Sequence, residues 1–465
     1  MKRNKQNILV TATLMSLLAL SASCTMDQVS EKVELPGAID FNVYALRTPS
    51  ATRAGATGDV STVNLQTPSH SIGHAGIGVF GYYTGRDLYN HLVHKPNFMH
   101  NVQLTYVPQQ STSGVVTSPA RWEYSPVMYW PNEYEGDYAG ALAPQGDRLS
   151  FFAYAPYVEV DRTTGFIDQT NTDINHTSGT VSGIIGMTDH YETGNPLIHY
   201  AVGANPDEAV DLCWATAGPS WSYEDISGAT VKRDEGMPLV DLTRMKSYTN
   251  KIGLTLRHAL AKLNIQIDGS VDERDGEGVD NASTHIYLRR VIISGFALRG
   301  SLDLCNSTPS RARWLEYGGS SVIQPQSNVL NDGRTEGREG EPAGTSPDEE
   351  NQLLNPELIQ NDDRVTVGVT GNLQNLFASN SPTSAQLVIP DGTPLSIAIE
   401  YDIETADPSL LGQSLSDGAT IGKSLECRVS KSDIITLEAG KSYTICVHLG
   451  LTAVKVDVTD VKAWN

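Results

Sequence analysis

The chain has little positive charge for its length. Its 465 residues include 33 lysines and arginines against 54 aspartates and glutamates, which gives a formal net charge of −21. Proteins that bind nucleic acid neutralise phosphates with clustered basic side chains, and an anionic membrane surface attracts the same kind of cluster. The composition therefore argues against both as partners of the protein surface, and the acidic balance favours solubility.

The sequence also lacks the short motifs that carry common enzyme chemistry. It has no His-Glu-x-x-His zinc motif, no Gly-x-Ser-x-Gly nucleophile turn, no P-loop and no Gly-x-Gly-x-x-Gly that opens a helix. We therefore predict that the chain is not an enzyme and has no cofactor and no metal. Paired carboxylates for glycosidase chemistry remain an open alternative, because such pairs are defined in space and not along the chain.

Residues that could bind a metal ion are scattered. His190 and His199 flank a Gly-Asn-Pro turn, and we interpret them as surface residues of a loop rather than as ligands. His258 lies inside an apolar run, where a hydrogen-bonded core or edge histidine is the preferred interpretation. The carboxylates from Asp272 to Asp280 do not match the spacing of a twelve-residue calcium loop, so a solvated acidic hairpin is expected there.

The chain has few cysteines, and their spacing forms no recognisable motif. Beyond Cys24 there are Cys213, Cys305, Cys427 and Cys446, with no Cys-x-x-Cys among them. An oxidising compartment would permit disulfides, and Cys427 with Cys446 is the pair nearest in sequence. We prefer the alternative that all four are small buried apolar residues.

The first residues have the three-part layout of a secretory signal peptide. Lys2, Arg3 and Lys5 precede an apolar run from Ile8 to Leu20, and small residues lead to Cys24. A cysteine at this place is typical of a bacterial lipoprotein, whose thiol is acylated, palmitate being a common group, and becomes the new N-terminus. The leucine lies four residues before the cysteine instead of three, so the match is relaxed, and an ordinary signal peptide is the alternative. No later run approaches the ~20 apolar residues of a membrane span.

Most apolar residues beyond the leader recur with period two, which predicts short β-strands. Many such strands separated by turn residues are typical of sandwiches or barrels, so the fold class predicted is all-β. Helical signal is sparse: one short helix is possible between Leu256 and Leu263, and an extended strand with a bulge is its alternative. Two runs show this alternation clearly. One lies near the start of the chain and comprises Ile39, Phe41, Val43 and Ala45, and the other lies near the end and comprises Val454, Val456 and Val458.

Composition shifts suggest how the chain is divided. The strand pattern weakens between residues 218 and 249, so a domain boundary is expected there. We predict a signal peptide over 1–23, an N-terminal segment over 24–53, one domain over 54–245 and a second over 246–465. A polar stretch at 324–355 cannot bury enough apolar area to offset its ordering cost, so it is expected to be an exposed, mobile insertion.

An ordered set of short motifs spans nearly the whole mature chain. It comprises Ile39–Val43, Ala51–Gly55, Ile77–Tyr83, Tyr129–Pro131, Leu149–Tyr157, Leu256–Leu263, Val291–Gly295, Leu437–Tyr443, Val454–Val456 and the terminal Trp464. Together these resemble the fimbrillin family, the subunits of type V pili of anaerobic gut and oral bacteria. The insertion at 324–355 departs from the compact core of that family.

The resemblance implies two tandem β-sandwich domains of transthyretin-like topology, with few short helices. It also implies export as an outer-membrane lipoprotein through Cys24, trimming after an arginine, and polymerisation by strand exchange at the cell surface. Arg53 is the expected trimming site, with Arg47 as second choice. The run from Ile39 to Ala45 would then be the removable strand, and the run from Val454 to Val458 has the character of an incoming one.

The partners implied are other fimbrillin subunits in a homo- or heteropolymer, the outer membrane through the lipid anchor, and surface ligands of the host or of other bacteria. A surface lipoprotein that binds or processes glycans is the alternative function, because Trp122, Trp130, Trp214 and Trp314 could stack on sugars. Buried core aromatics are the preferred interpretation of these four. An anchored β-sandwich with an unknown partner is a third possibility.

Overall fold

The structure of the protein is a computed structural model. It describes residues 37–44, 65, 76–131, 147–167, 183–203, 209–218, 221–246, 251–269, 284–306, 311–318, 322–323, 374–376, 385–405, 425–431, 434–449 and 454–464. Within these ranges the chain is all-β, as the sequence predicts, with 25 strands numbered β1 to β25 in chain order. Leu65 is the one described residue with helical geometry. Among the residues described, no helix is long and apolar enough to cross a membrane.

The largest sheet has eight strands. Their order is β1-β14-β10-β7-β2-β3-β6, and β13 pairs with β7 beside this path. The strands are β1 (Phe41–Tyr44), β2 (Ile77–Gly85), β3 (Met99–Val107), β6 (Arg121–Glu123), β7 (Arg148–Ala155), β10 (Cys213–Ala217), β13 (Leu239–Leu242) and β14 (Ile252–His258).

A four-stranded sheet in the order β18-β17-β9-β8 lies against the eight-stranded sheet. Two short hairpins, β4–β5 and β11–β12, complete this part of the chain. The strands are β4 (Gln110–Thr112), β5 (Val115–Ser118), β8 (Gly183–Met187), β9 (Leu197–Ala201), β11 (Ser222–Glu224), β12 (Thr230–Lys232), β17 (Arg299–Asp303) and β18 (Arg313–Gly318).

The remaining strands form two further sheets, a five-stranded one in the order β20-β15-β24-β25 with β21 paired to β15, and a four-stranded one in the order β19-β16-β22-β23. The strands are β15 (Ala261–Gly269), β16 (Thr284–Ser294), β19 (Val322–Ile323), β20 (Gln374–Asn375), β21 (Gln386–Val388), β22 (Ser396–Thr405), β23 (Leu425–Lys431), β24 (Lys441–Leu449) and β25 (Val454–Ala463).

The eight-stranded sheet is covered on both faces, and this explains the aromatic run at 149–155. Successive side chains of a strand point to opposite faces. Leu149, Phe151 and Ala153 enter one cluster of buried residues, called here the first core. Phe152 and Tyr154 enter another, the second core, which lies between this sheet and the β8-β9-β17-β18 sheet. A strand buried on both sides has no need of polar alternation.

The third core lies between the two C-terminal sheets, where alternate residues of β15 and β24 meet those of β16 and β22. Ile265 and Ile445 come from one sheet, and Ile293 and Ile397 from the other. Face-to-face packing of two sheets over one apolar layer is the arrangement of a sandwich.

The segment from Leu256 to Leu263 is extended, so the helical alternative for it was wrong, and in place of one strand with a bulge it contains parts of two strands. It contains the end of β14, the two-residue link Ala259–Leu260 and the start of β15. Ala259 and Leu260 point into the second core, while Leu263 points into the third. Here the chain passes from the eight-stranded sheet to the five-stranded one. The predicted division into domains at residue 245 remains a prediction, and the proposed insertion at 324–355 lies outside the described residues.

Candidate functional site

The candidate site is built by residues 37–44, called here the N-terminal segment, and the surface that holds them. Its strand, β1, lies at one end of the eight-stranded sheet and pairs in parallel with β14. Phe41 is opposite Ile252 and Val43 is opposite Leu254. A parallel neighbour so distant in sequence means that the segment docks on a sheet formed by later residues, and does not form it through a local hairpin.

The other side of the segment is held by a loop that follows β6. The Ile39 amide donates to the Met128 carbonyl at 2.9 Å, and the Trp130 amide donates to the Gly37 carbonyl at 2.8 Å. The Tyr124 hydroxyl donates to the Ile39 carbonyl at 2.7 Å. Main-chain hydrogen bonds therefore hold the start of the segment, residues 37–39, against the loop after β6, and its end, residues 41–44, against β14.

Two side chains of the segment enter the first core. Ile39 is 2% exposed and Phe41 is 1% exposed. The Phe41 ring makes edge-on contacts with Phe151 and Tyr124, at centroid distances of 5.5 and 5.7 Å. Val43 is partly buried against the same core. The alternation seen in the sequence thus corresponds to an inward face, and burial of an Ile or Phe side chain stabilises by roughly 1.5–3 kcal/mol.

A polar contact fixes the register of the segment. The Asp40 carboxylate lies 2.5 Å from Lys251 Nζ, and it also accepts a hydrogen bond from the Phe41 amide at 2.8 Å. The Asp40 carbonyl accepts the Ile252 amide at 2.8 Å. Because this ion pair is partly exposed, it contributes at most about 1 kcal/mol, but a one-residue slip would break it and would turn the apolar face outward.

Tyr124 is a polar residue that hydrogen-bonds directly to the N-terminal segment. Burial raises the pKa of its phenol well above the usual value, so the hydroxyl stays protonated as a donor. The Ile39 carbonyl lies closer to that hydroxyl than the Met128 carbonyl does, at 2.7 against 3.4 Å. Without the N-terminal segment this phenol would lose its shorter hydrogen bond.

Several residues named from the sequence cannot be placed. Cys24, Ala45, Arg47 and Arg53 lie outside the described residues, as do the carboxylates from Asp272 to Asp280. Their predicted roles stay predictions.

The C-terminal run forms β25, which pairs antiparallel with β24 along its length. Val456 and Val458 are partly buried against the third core. Val454 is in the strand, opposite Leu449. Since the sheet order ends at β25, this strand, like β1, is at an edge of its sheet in the part of the chain described.

Other candidates from the sequence occupy ordinary structural positions. Trp122, Trp130, Trp214 and Trp314 are all buried, so they do not form an exposed platform for sugars. His190 packs against His100, with ring centroids 5.5 Å apart. His199 was predicted to lie in a surface loop, but it is half-buried in β9, where it stacks on Phe166 and lies 2.9 Å from the Ser301 hydroxyl.

The Cys427–Cys446 disulfide is not formed. Cys446 is a buried thiol, with its sulfur 3.7 Å from Gln266 Oε1 and 3.6 Å from Thr459 Oγ1. For this residue the preferred interpretation, a small buried side chain, is confirmed.

Sequence reasoning did not identify the residues that receive the segment. Tyr124, Met128 and Lys251 belong to no alternating run, and only a three-dimensional arrangement brings them to the N-terminal segment. Ile252 and Leu254 did carry a usable signal, because they alternate with Gly253 and Thr255 in the way a strand with one buried face does.

Comparison with known proteins gives distant structural neighbours. No protein-family model matches the chain, and no curated protein matches it. A fimbrial protein from Bacteroides vulgatus ATCC 8482 is 18% identical over 92% of this chain and all of its own, with a TM-score of 0.49. A candidate cell adhesion protein from Bacteroides uniformis ATCC 8492 is 13% identical over 90% of this chain and all of its own, with a TM-score of 0.34. Another, from Bacteroides ovatus ATCC 8483, is 10% identical over 92% of this chain and 97% of its own, with a TM-score of 0.32.

These neighbours are fimbrial and candidate adhesion proteins of Bacteroides. At such identities and TM-scores no residue role is transferred from them.

Proposed function

We propose that this chain is a structural and adhesive subunit of a cell-surface fimbria of the type V pilus kind, assembled by strand exchange. The observation that carries the proposal is the N-terminal segment: a short edge strand, early in the chain, with Ile39 and Phe41 buried in the first core. Cleavage of the chain beyond β1 would remove its covalent link to the later residues, so that the described segment would be held to them by noncovalent contacts and could be released.

Release would leave an acceptor groove, defined as the surface that residues 37–44 cover. The amides and carbonyls of β14 that face β1 would lose their partners, and the pockets of Ile39 and Phe41 would open. Unpaired strand edges invite pairing with another chain. A strand from a neighbouring subunit would gain main-chain hydrogen bonds for affinity and side-chain pockets for specificity. The β25 run Val454–Val458 supplies the required alternation of apolar and polar residues.

The proposal includes export and anchoring. The leader ending before Cys24 supports a lipoprotein that reaches the outer membrane and then the cell surface, and trimming after Arg53 would separate the lipid from the mature subunit. The partners are then other subunits of the same kind, in a homo- or heteropolymer. No active site is part of this function, and the burial of the four tryptophans gives the glycan-binding alternative no support.

Lipidation is tested by Cys24→Ala. Without a thiol to acylate, the precursor should remain unprocessed or should leave the membrane fraction in soluble form. The measurement is membrane fractionation together with mass spectrometry of the N-terminal peptide. An unchanged membrane fraction with no acyl mass on the parent peptide would contradict the anchor, and Cys305→Ala is the matched control that should behave like the parent.

Assembly is tested by trimming the full-length chain with an Arg-specific protease. Cleavage after Arg53 should convert a monomer into multimers that size-exclusion chromatography resolves, because the acceptor groove is vacated. Arg53→Ala should stay monomeric under the same digestion, whereas Arg47→Ala should assemble. If the chain is cleaved after Arg53, loses residues 37–44 and remains a monomer at high concentration, assembly by strand exchange is wrong.

A further inference from the structure

Three side chains with metal-binding atoms converge where β10 meets β14. Asp211 Oδ2 lies 2.7 Å from His258 Nδ1. Cys213 Sγ lies 3.5 Å from the same nitrogen and 3.8 Å from the same oxygen. All three atoms are within 4.8 Å of one another, and within the described ranges this is the single group of three or more such residues.

The sheet fixes the positions of these residues. Cys213 opens β10 and is directly opposite His258 in the antiparallel register of β10 with β14. Just beyond, the Ala259 amide donates to the Leu212 carbonyl at 2.8 Å, which holds the residue between Asp211 and Cys213. Cys213 and His258 are on paired strands, which position side chains more precisely than loops do, and Asp211, two residues before Cys213, is held beside them by the hydrogen bond at Leu212.

The group is closed off from water. Asp211, Cys213 and His258 are all buried. The Trp464 ring stacks on the imidazole, with a centroid distance of 3.9 Å and an interplanar angle of 3°. The Trp464 amide donates to the Gly440 carbonyl at 2.8 Å, which fixes this cover in place. The buried Asp211 carboxylate is paired with His258, and a carboxylate, an imidazole and a thiol at such distances are the ligand types that a soft divalent cation takes.

We propose that Asp211, Cys213 and His258 form a buried binding site for a thiophilic divalent cation, of which Zn²⁺ is the best fit. Zn²⁺ takes Cys, His and carboxylate ligands in tetrahedral geometry, and its bond lengths place two ligand atoms about 3.3 Å apart for O and N and about 3.6 Å for S with either. The two sulfur distances, 3.5 and 3.8 Å, already match. The oxygen–nitrogen pair, now at hydrogen-bonding distance, must open by about 0.6 Å to admit the ion.

The donor set selects the kind of ion. Calcium and magnesium prefer six or more oxygen ligands, whereas one thiolate, one imidazole and one carboxylate suit zinc and its neighbours in the first transition row. The three side chains would fill three of the four positions of a tetrahedral zinc site, and a water molecule bound with the ion would take the fourth. Binding releases the Cys213 thiol proton and requires His258 to carry its ring proton on Nε2, and the two ligand charges then balance the dication.

Cobalt binding to the chelator-treated full-length chain is the direct test. We expect one equivalent of Co²⁺ to bind and to give a thiolate-to-cobalt charge-transfer band that Zn²⁺ abolishes by competition. Cys213→Ala should remove the band. Cys446→Ala is the matched control, because it removes another buried thiol, one that belongs to no group of three possible ligands in the described part of the chain, and it should keep the band.

Thermal unfolding of the parent chain provides a second measurement, which does not depend on the folding of a variant. A ligand that binds only the native state raises the melting temperature, so Zn²⁺ should raise the Tm of the parent and chelator should reverse the shift. Cys446→Ala should show the same rise in Tm. Trp464→Ala should bind the ion but should release it to chelator at least tenfold faster. A parent that shows neither a cobalt band nor a Tm shift, or a band that Cys213→Ala leaves intact, would overturn the site and leave a hydrogen-bonded core triad.

Discussion

A full-length chain carrying Phe41→Asp is expected to undock its N-terminal segment and to form multimers without proteolytic trimming. Replacing a buried Phe by a small residue costs about 3–5 kcal/mol, and an unpaired carboxylate in the first core costs more. Phe41 packs against Phe151 and Tyr124, so the loss falls on the contacts that hold the segment. The measurements are size-exclusion chromatography and hydrogen exchange at β14, whose amides should lose protection.

The control is Asn42→Asp, which introduces the same charge one residue later on the opposite face of β1. Asn42 is only half-buried and pairs with Gly253, so this variant should remain a monomer with near-parental stability. Two other outcomes for Phe41→Asp would contradict the proposal. Complete cooperative unfolding would mean that β1 is an inseparable part of the core, and parental behaviour would mean that it is a passive tether.

The all-β class could be predicted from the sequence because alternation is a local property. Ile39, Phe41 and Val43 alternate with polar neighbours, and the structure buries the first two and half-buries the third. The run at 256–263 was ambiguous for a physical reason. Its residues fill three different cores in succession, so it has no single apolar face, and periodicity alone could not separate a helix from an extended link.

The acceptor surface could not be predicted, because it is assembled from distant parts of the chain. Met128 lies 89 positions after Ile39 in the numbering, and Lys251 lies 211 positions after Asp40, yet each contacts its partner directly. The buried triad was hidden in the same way. His258 was correctly interpreted as a hydrogen-bonded core histidine, but its partner Asp211 carried no signal, since an aspartate ahead of a strand is ordinarily exposed.

A peptide with the sequence of residues 36–46 is expected to bind the trimmed chain and to block its assembly. The trimmed chain offers the pairing edge of β14 and the pockets of Ile39 and Phe41, and the peptide restores the contacts of the docked segment. Replacing Phe41 by Ala in the peptide removes about 3–5 kcal/mol of burial. Since every 1.4 kcal/mol is tenfold in Kd, its affinity should fall by at least about 100-fold.

The matched peptide carries Asn42→Ala, which alters the outward face of β1 and leaves the pockets filled, so its Kd should lie within about threefold of the parent peptide, the range expected for a surface substitution. Fluorescence polarisation of labelled peptides with freshly trimmed protein gives all three constants. A second readout is the concentration of each peptide that halves the multimer yield, which should follow the same order. If the Phe41→Ala peptide binds the trimmed chain and blocks its assembly as well as the parent peptide does, the acceptor groove does not recognise the inward-facing side chains of the strand. Untrimmed protein should bind none of the peptides, because its own segment fills the groove, and tight binding there would place the peptide site elsewhere on the molecule.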